Sequence, residues 1–190
     1  MLIQFGTYPQ TATGTDKTPI QWRVLEEKDG ELLFIADKIL ECVPYHTSYT
    51  IITWQECSLR KWLNKDFYTR AFSDVEKSKI LTSSDNGNGI ESANDLPATQ
   101  DKVFLLNTAE VNQYFSSDYA RQASGTVYAK WVDNRALHVD KGSSWWWLRN
   151  RGSGGSGHAA IINYNGCVSD YGGNVDRGNF GVRPAVRVRL

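Results

Sequence analysis

The chain has no excess charge of either sign. Lys and Arg together number 21 and Asp and Glu number 21, so no electrostatic field favours nucleic acid or an anionic membrane. Long apolar runs are also missing. Nothing approaches the ~20 residues of a membrane-crossing helix. The opening "MLIQFGTYPQTATG" has no basic stretch followed by an apolar core, so no signal peptide is expected. The expectation is a soluble chain, whether in a phage particle, at a cell surface or in the cytoplasm. Cysteine is scarce: Cys42, Cys57 and Cys167 are widely spaced and odd in number, which suits isolated thiols better than a disulfide framework. None stands at zinc-ligand spacing from another Cys or a His. A chain of 190 residues buries about 70% of its unfolded surface. It therefore reads as one domain, residues 1–190, that needs no staple.

What is present divides in two. The first part carries regular elements. "QWRVLEEKDGELLFIA" predicts a hairpin, with Trp22 to Leu25 and Leu32 to Ala36 flanking a Lys-Asp-Gly turn. In "TWQECSLRKWLNKDF", Thr53 and Glu56 predict a capping box ahead of Leu59, Trp62 and Leu63 at helical spacing. Ser73 with Glu76, and Asn107 with Glu110, predict two further capped helices, and "DYARQA" a short one after them. "SSDNGNGIESANDLPATQ" reads as a polar surface loop.

From Gly142 onward the composition changes. "HAAIINYNGCVSDYG" predicts two short strands around Asn165-Gly166, a type I′ turn or a relative. "VRPAVRVRL" alternates, with Val186, Val188 and Leu190 on one face and Arg187 and Arg189 on the other, as in a half-buried strand. Pro184 is expected at an edge or bulge, and "LIQFG" as the partner of this last strand. Helices in the middle and strands at both ends give an α+β class with short antiparallel sheets, two or more helices and a loop-rich C-terminal half.

Residues 150–181 contain no Lys, Glu, Gln, Met or Trp. Gly-rich hairpins disfavour long side chains. These five types are also the ones that a codon ending in a pyrimidine cannot encode. "WWWLRNRG", "HAAIINYNGCVSDYGGNV" and "GVRPAVRV", with "FGTYPQT", "PIQWRVLE", "SYTIITWQECSLRKWLN", "AFSDVEK" and "DKVFLLNTAEVNQYF" before them, resemble the variable proteins of diversity-generating retroelements. In those, a reverse transcriptase randomises template adenines. The chain is similar to a bacterial and phage domain family with a WWLRSPG…GVRPAL signature. Asn150-Arg151 stands where that signature has Ser-Pro, which leaves open where variation would begin.

The resemblance implies a C-type-lectin-like fold and a non-enzymatic display or adhesin-like protein. Its variable region, 150–181, would bind a protein or glycan ligand, and the chain could attach to a larger phage or cell-surface assembly. The expected ligand contacts are Asn150, Arg151, Ser153, Gly155, Ser156, His158, Asn163, Tyr164, Ser169, Asp170, Tyr171, Asp176, Arg177, Asn179 and Phe180. Their chemistry resembles antibody loops, with rigid rings beside adaptable hydrogen bonders. Tyr164, Tyr171, Phe180 and Arg177 are the expected anchors. Beneath them Trp145, Trp146 and Trp147, alternating in a strand, pin the core with one face and border the site with the other. Gly152, Gly166, Gly172 and Gly181 set turns, and Ala159, Ala160, Val168 and Val175 face inward.

No cofactor, metal or catalytic residue is expected. The fold's enzyme relatives, the formylglycine-generating oxidases, have "GFR" followed by cysteine. Here Pro184 follows Arg183, and Arg183 is expected to pair inward with a carboxylate or backbone carbonyls. His46, His138 and His158 are isolated. "WVDN", from Trp131 to Asn134, offers hard oxygens of the kind calcium takes, though a turn is the default reading. The alternatives are a fixed-specificity lectin or adhesin on the same fold and, further off, an enzyme of the formylglycine-generating type.

Overall fold

The Lys-Asp-Gly signal near the start closes a two-residue hairpin. The computed structural model, which describes residues 1–85, 99–131, 139–140 and 142–189, pairs Lys28 with Glu31 there. Asp29 and Gly30 adopt φ of 53° and 75°, the left-handed pair that such a turn requires. Strand β1 (Leu2–Tyr8), strand β2 (Thr18–Lys28) and strand β3 (Glu31–Ala36) form a meander, and the last strand, β13 (Ala185–Arg189), closes the sheet beside β3. Leu33 to Ala36 are fully buried without alternation, because β3 is an inner strand covered on both faces.

The expected pairing of "LIQFG" with the last strand does not occur. β1 lies at the opposite edge, on β2. The turn between them explains this: the Asp16 carboxylate accepts the Gln10 N–H at 2.9 Å, the Thr11 N–H at 3.1 Å and the Thr18 hydroxyl at 2.5 Å. That clamp folds β1 straight back along β2. In β13, Val186 and Val188 are buried while Arg187 reaches Glu26 at 3.0 Å and Arg189 reaches Glu31 at 2.5 Å. Leu190 lies outside the described residues.

The helices follow their caps. Ser73 and Glu76 form the expected box on α3 (Asp74–Lys79), and Asn107 and Glu110 that on α4 (Thr108–Tyr114). Glu76 also accepts the Gly6 N–H at 2.7 Å, which ties α3 to β1. The Thr53 box does not form. Its carbonyl closes a turn onto the N–H groups of Glu56 and Cys57, and the helix starts at Ser58, capped by the Cys57 sulfur. From there α1 (Ser58–Trp62), a π turn (Leu63–Phe67) and α2 (Tyr68–Ala71) run on without a break, followed by α3 (Asp74–Lys79). The ends of the expected polar loop pair as β5 (Ser83–Asp85) and β6 (Thr99–Asp101), and the rest of it lies outside the described residues. After them come α4 (Thr108–Tyr114), α5 (Asp118–Arg121) and α6 (Val127–Trp131). Val132 to Asn134 of the "WVDN" stretch, and His138, also fall outside. No helix among the described residues is long and apolar enough to cross a membrane.

The second sheet is built from β4 (Glu41–Cys42), β9 (Trp146–Arg151), β10 (His158–Ile162), β11 (Val168–Asn174) and β12 (Gly181–Val182), in the order β11-β10-β9-β12-β4. A small ladder of β7 (Val139–Asp140) and β8 (Ser143–Ser144) precedes it. The class is α+β. One pair, β12 with β9, is parallel, because residues 175–180 carry the chain across the sheet instead of turning it back. Pro184 sits between β12 and β13, buried, and is neither edge nor bulge. It stands at the joint between the two sheets, where its missing N–H costs no ladder bond, and its carbonyl accepts the Ala36 N–H at 2.9 Å.

Candidate ligand-binding face

The face begins with what is beneath it. Trp146 and Trp147 are adjacent in β9, so they point to opposite sides of the sheet, and both are fully buried. Trp146 donates its indole N–H to the Arg121 carbonyl at 3.2 Å and Trp147 to that of Val43 at 3.0 Å. Both sides of β9 are therefore pinned, and half-buried Trp145 alone reaches the rim. Arg149, buried, forms a two-pronged pair with Glu110 at 2.7 and 3.1 Å and donates to the Leu105 carbonyl at 2.6 Å. Glu110 thus closes the α4 cap and holds β9 at once. Arg183 is fully buried, gives its Nε–H to the Ala36 carbonyl at 2.7 Å, and lies 5.1 Å from the Trp146 ring centre. Burial, with Arg23 nearby, pulls its guanidinium pKa down to about 9. It faces backbone carbonyls and rings, as one of the expected alternatives had it.

β10 runs straight while both neighbours bulge against it. Ala159 pairs with Gly173 and Ile161 with Ser169, so Asp170, Tyr171 and Gly172 together face Ala160. On the other side Leu148, Arg149 and Asn150 do the same, between Arg151 and Trp147. Gly172 makes the first bulge possible: its φ is 82° and an added Cβ would lie 2.2 Å from the Ala159 carbonyl oxygen. The bulge lifts Tyr171 to 64% exposure.

The segment 152–157 is held against this bulge by its backbone. Ser153 N–H donates to the Asp170 carbonyl at 2.7 Å, Gly154 N–H to Tyr171 at 3.0 Å, Gly152 N–H to His158 at 2.8 Å, and Val175 N–H to Gly157 at 2.9 Å. Backbone bonds are indifferent to the side chains above them. At the hairpin tip the turn differs from type I′: Gly166 N–H returns to the Asn163 carbonyl at 2.8 Å, and Gly166 alone has positive φ, 88°. It lies against α5, where Arg121 donates to its carbonyl at 2.9 Å. The Cys167 thiol donates to Asp118 at 3.0 Å. That hydrogen bond raises the thiol pKa and lowers that of the carboxylate.

The fifteen expected contacts divide by burial. Ser153, Gly155, Ser156, Asp170, Tyr171, Asp176 and Arg177 are exposed, and Arg151, His158, Asn163, Tyr164, Ser169 and Asn179 are half-buried. Asn150 and Phe180 are buried instead, against expectation. Asn150 accepts the Thr108 N–H at 3.1 Å at the start of α4, and Phe180 packs 4.4 Å from Trp147, ring centre to ring centre. Val168 is half-buried, unlike Ala159, Ala160 and Val175. Gly152 and Gly181 serve close approach: an added Cβ would lie 2.5 Å from the Tyr171 oxygen or 2.6 Å from Ile39.

Two groupings result. In one, His158 stands 5.4 Å from Tyr171 and 6.2 Å from Tyr49, edge to face. Tyr49 comes from the first half of the chain and was not among the expected residues. Its sequence signal is an aromatic in the short polar run "HTSYT". In the other, Trp145, Gly173, Asn174, Arg177, Asn179 and Phe180 line an open hollow of about 240 Å³, with Tyr164 6.3 Å from Trp145. The Asn179 side-chain oxygen is buried there without a hydrogen-bond partner among the described residues, an arrangement that costs about 1–3 kcal/mol.

Among the described residues no three His, Cys, Asp or Glu side chains group closely enough to hold a metal. Cys42 and Cys57 are buried, Cys167 is half-buried, and no disulfide links them. The pattern of a "Domain of unknown function (DUF6273)" matches residues 29–190. No curated protein and no solved structure matches the chain.

Proposed function

The chain belongs to the DUF6273 family, and we propose that it is a non-enzymatic ligand-binding protein whose C-terminal face is diversified by a retroelement. The fold on this reading is C-type-lectin-like: one sheet gathers the first and last strands, and the second presents the variable hairpin and loops. The ligand is a protein or a glycan. Exposed Ser153, Ser156, Asp170, Tyr171, Asp176 and Arg177 supply the adaptable contacts, with Tyr171 as an aromatic anchor.

One observation carries the reading. The loop and bulge that bear Ser153, Asp170 and Tyr171 are joined by backbone hydrogen bonds over buried Trp146, Trp147, Ala159 and Ala160. Apart from the Ser153 hydroxyl, which donates to the Asp170 carbonyl at 3.2 Å, the loop is held by groups that substitution of the outer side chains does not touch. The direct test is the flanking DNA. The reading expects a near-copy of the segment encoding 150–181, differing at adenines, beside a reverse transcriptase gene. Sibling genes identical throughout that segment, with no template copy, would overturn it.

A further inference from the structure

We propose that the hollow beside Trp145 is a subsite for one acidic sugar ring, a pyranose bearing a carboxylate. This rests on the proposed ligand-binding role of the face and names the ligand class for part of it. Three features converge. Half-buried Trp145, backed by Phe180 with ring centres 5.6 Å apart, offers apolar ring surface of the kind that takes the C–H face of a sugar. Asn179 contributes a side-chain amide whose oxygen is buried without a partner among the described residues, so turning it into the hollow to meet a hydroxyl donor breaks no hydrogen bond. Rotation about its terminal bond brings either end of the amide to a group seated in the hollow. Arg177 is exposed at the rim, and its guanidinium makes no hydrogen bond or ion pair among the described residues.

A carboxylate matches that unpaired guanidinium, and the fork of N–H groups favours a planar two-oxygen acceptor. The volume, about 240 Å³, falls below the usual ~300–1,000 Å³ of drug-sized pockets, so it suits one ring and not an extended ligand. An added Cβ on Gly173 would lie 2.6 Å from the Phe180 ring, so the ring rests on bare backbone and leaves the cavity in front of it. An acidic peptide also carries a carboxylate. It lacks the single compact ring that joins hydroxyl donors, an anion and an apolar face, and the hollow answers all three.

The test is titration of the full chain with methyl β-glucuronide, methyl β-glucoside and an acetylated aspartate amide, following the Trp145 indole N–H resonance. The inference expects the glucuronide to shift that resonance saturably and the other two to bind at least about tenfold more weakly. Arg177→Glu should weaken the glucuronide by about tenfold or more without changing Tm, and Asn179→Asp should weaken it likewise but lower Tm by burying charge. Arg70→Ala, at an exposed arginine 5.2 Å from the Tyr8 ring and outside the lining of the hollow, should leave binding unchanged. Equal binding of glucoside or aspartate amide, or indifference to Arg177→Glu, would overturn the acidic-sugar assignment. If no probe binds here while substitutions across Ser153 to Phe180 at exposed positions remain thermally neutral, the subsite is refuted and the display reading stands. If those substitutions destabilise the fold broadly, the display reading fails as well.

Discussion

Phe180 separates a supporting side chain from a contacting one. It is 9% exposed, packs 4.4 Å from Trp147 and 5.6 Å from Trp145, and lies over the bare backbone of Gly173. Replacing a buried Phe by Ala typically costs ~3–5 kcal/mol. Its place beside an open hollow lets water into part of the vacated space, which argues for the lower end, about 3 kcal/mol. For a chain this long that corresponds to a fall in Tm of roughly 6–12 °C. Urea unfolding of Phe180→Ala should show a lower midpoint and an unchanged slope. Tyr171→Ala, at 64% exposure, serves as the comparison and should stay within about 0.5 kcal/mol of the parent. A Phe180→Ala variant as stable as Tyr171→Ala would refute the assignment of Phe180 to the support.

Gly166→Ala should cost at least ~1–3 kcal/mol from its backbone conformation alone, and more because the new Cβ would sit 1.7 Å from the Asp118 carbonyl oxygen; thermal unfolding measures it. Glu110→Ala removes the carboxylate half of the α4 capping box and the carboxylate partner of buried Arg149, for a loss of about 3–5 kcal/mol in urea unfolding. Glu41 is buried, and desolvation outweighs its hydrogen bonds from Cys42 and Tyr8 and raises its pKa. Its stabilising contribution is thus full below the unfolded value of about 4.3 and is lost as pH rises through the folded one. The stability of Glu41→Gln relative to the parent should therefore shift in the variant's favour as pH rises above about 4, and no shift would contradict the burial argument. Asp118→Asn should speed alkylation of Cys167, since the hydrogen bond to Asp118 is what raises the thiol pKa.

Local signals were read well where one residue type leaves a single physical option. The turn at Asp29-Gly30 and the boxes at Ser73 and Asn107 formed as their sequences predict. The Thr53 box failed because Thr53 to Glu56 form a turn ahead of the helix, which starts only at Ser58, and Cys57 is a cap the usual residue preferences do not rank. Strand partners are a non-local matter. The alternation in the last strand showed that it would be half-buried, but not that β3 would be its neighbour. The burial of Asn150 and Phe180 was hidden for a related reason. Both sit among glycines and polar residues that read as loop, and their partners, Thr108 and Trp147, come from elsewhere in the chain. Tyr49 joins the face the same way, across the gap between Gly157 and the first half of the sequence.

The most direct measurement is the melting temperature of chains in which Ser153, Ser156, Asp170, Tyr171, Asp176 and Arg177 are replaced together by varied residues. Six exposed changes of about 0.5 kcal/mol and mixed sign sum to roughly 1 kcal/mol, or about 2–4 °C. Most such variants should melt within that margin of the parent. A fall of more than about 10 °C across most of them, equivalent to several kcal/mol, would mean that these side chains hold the fold together and are not free to vary.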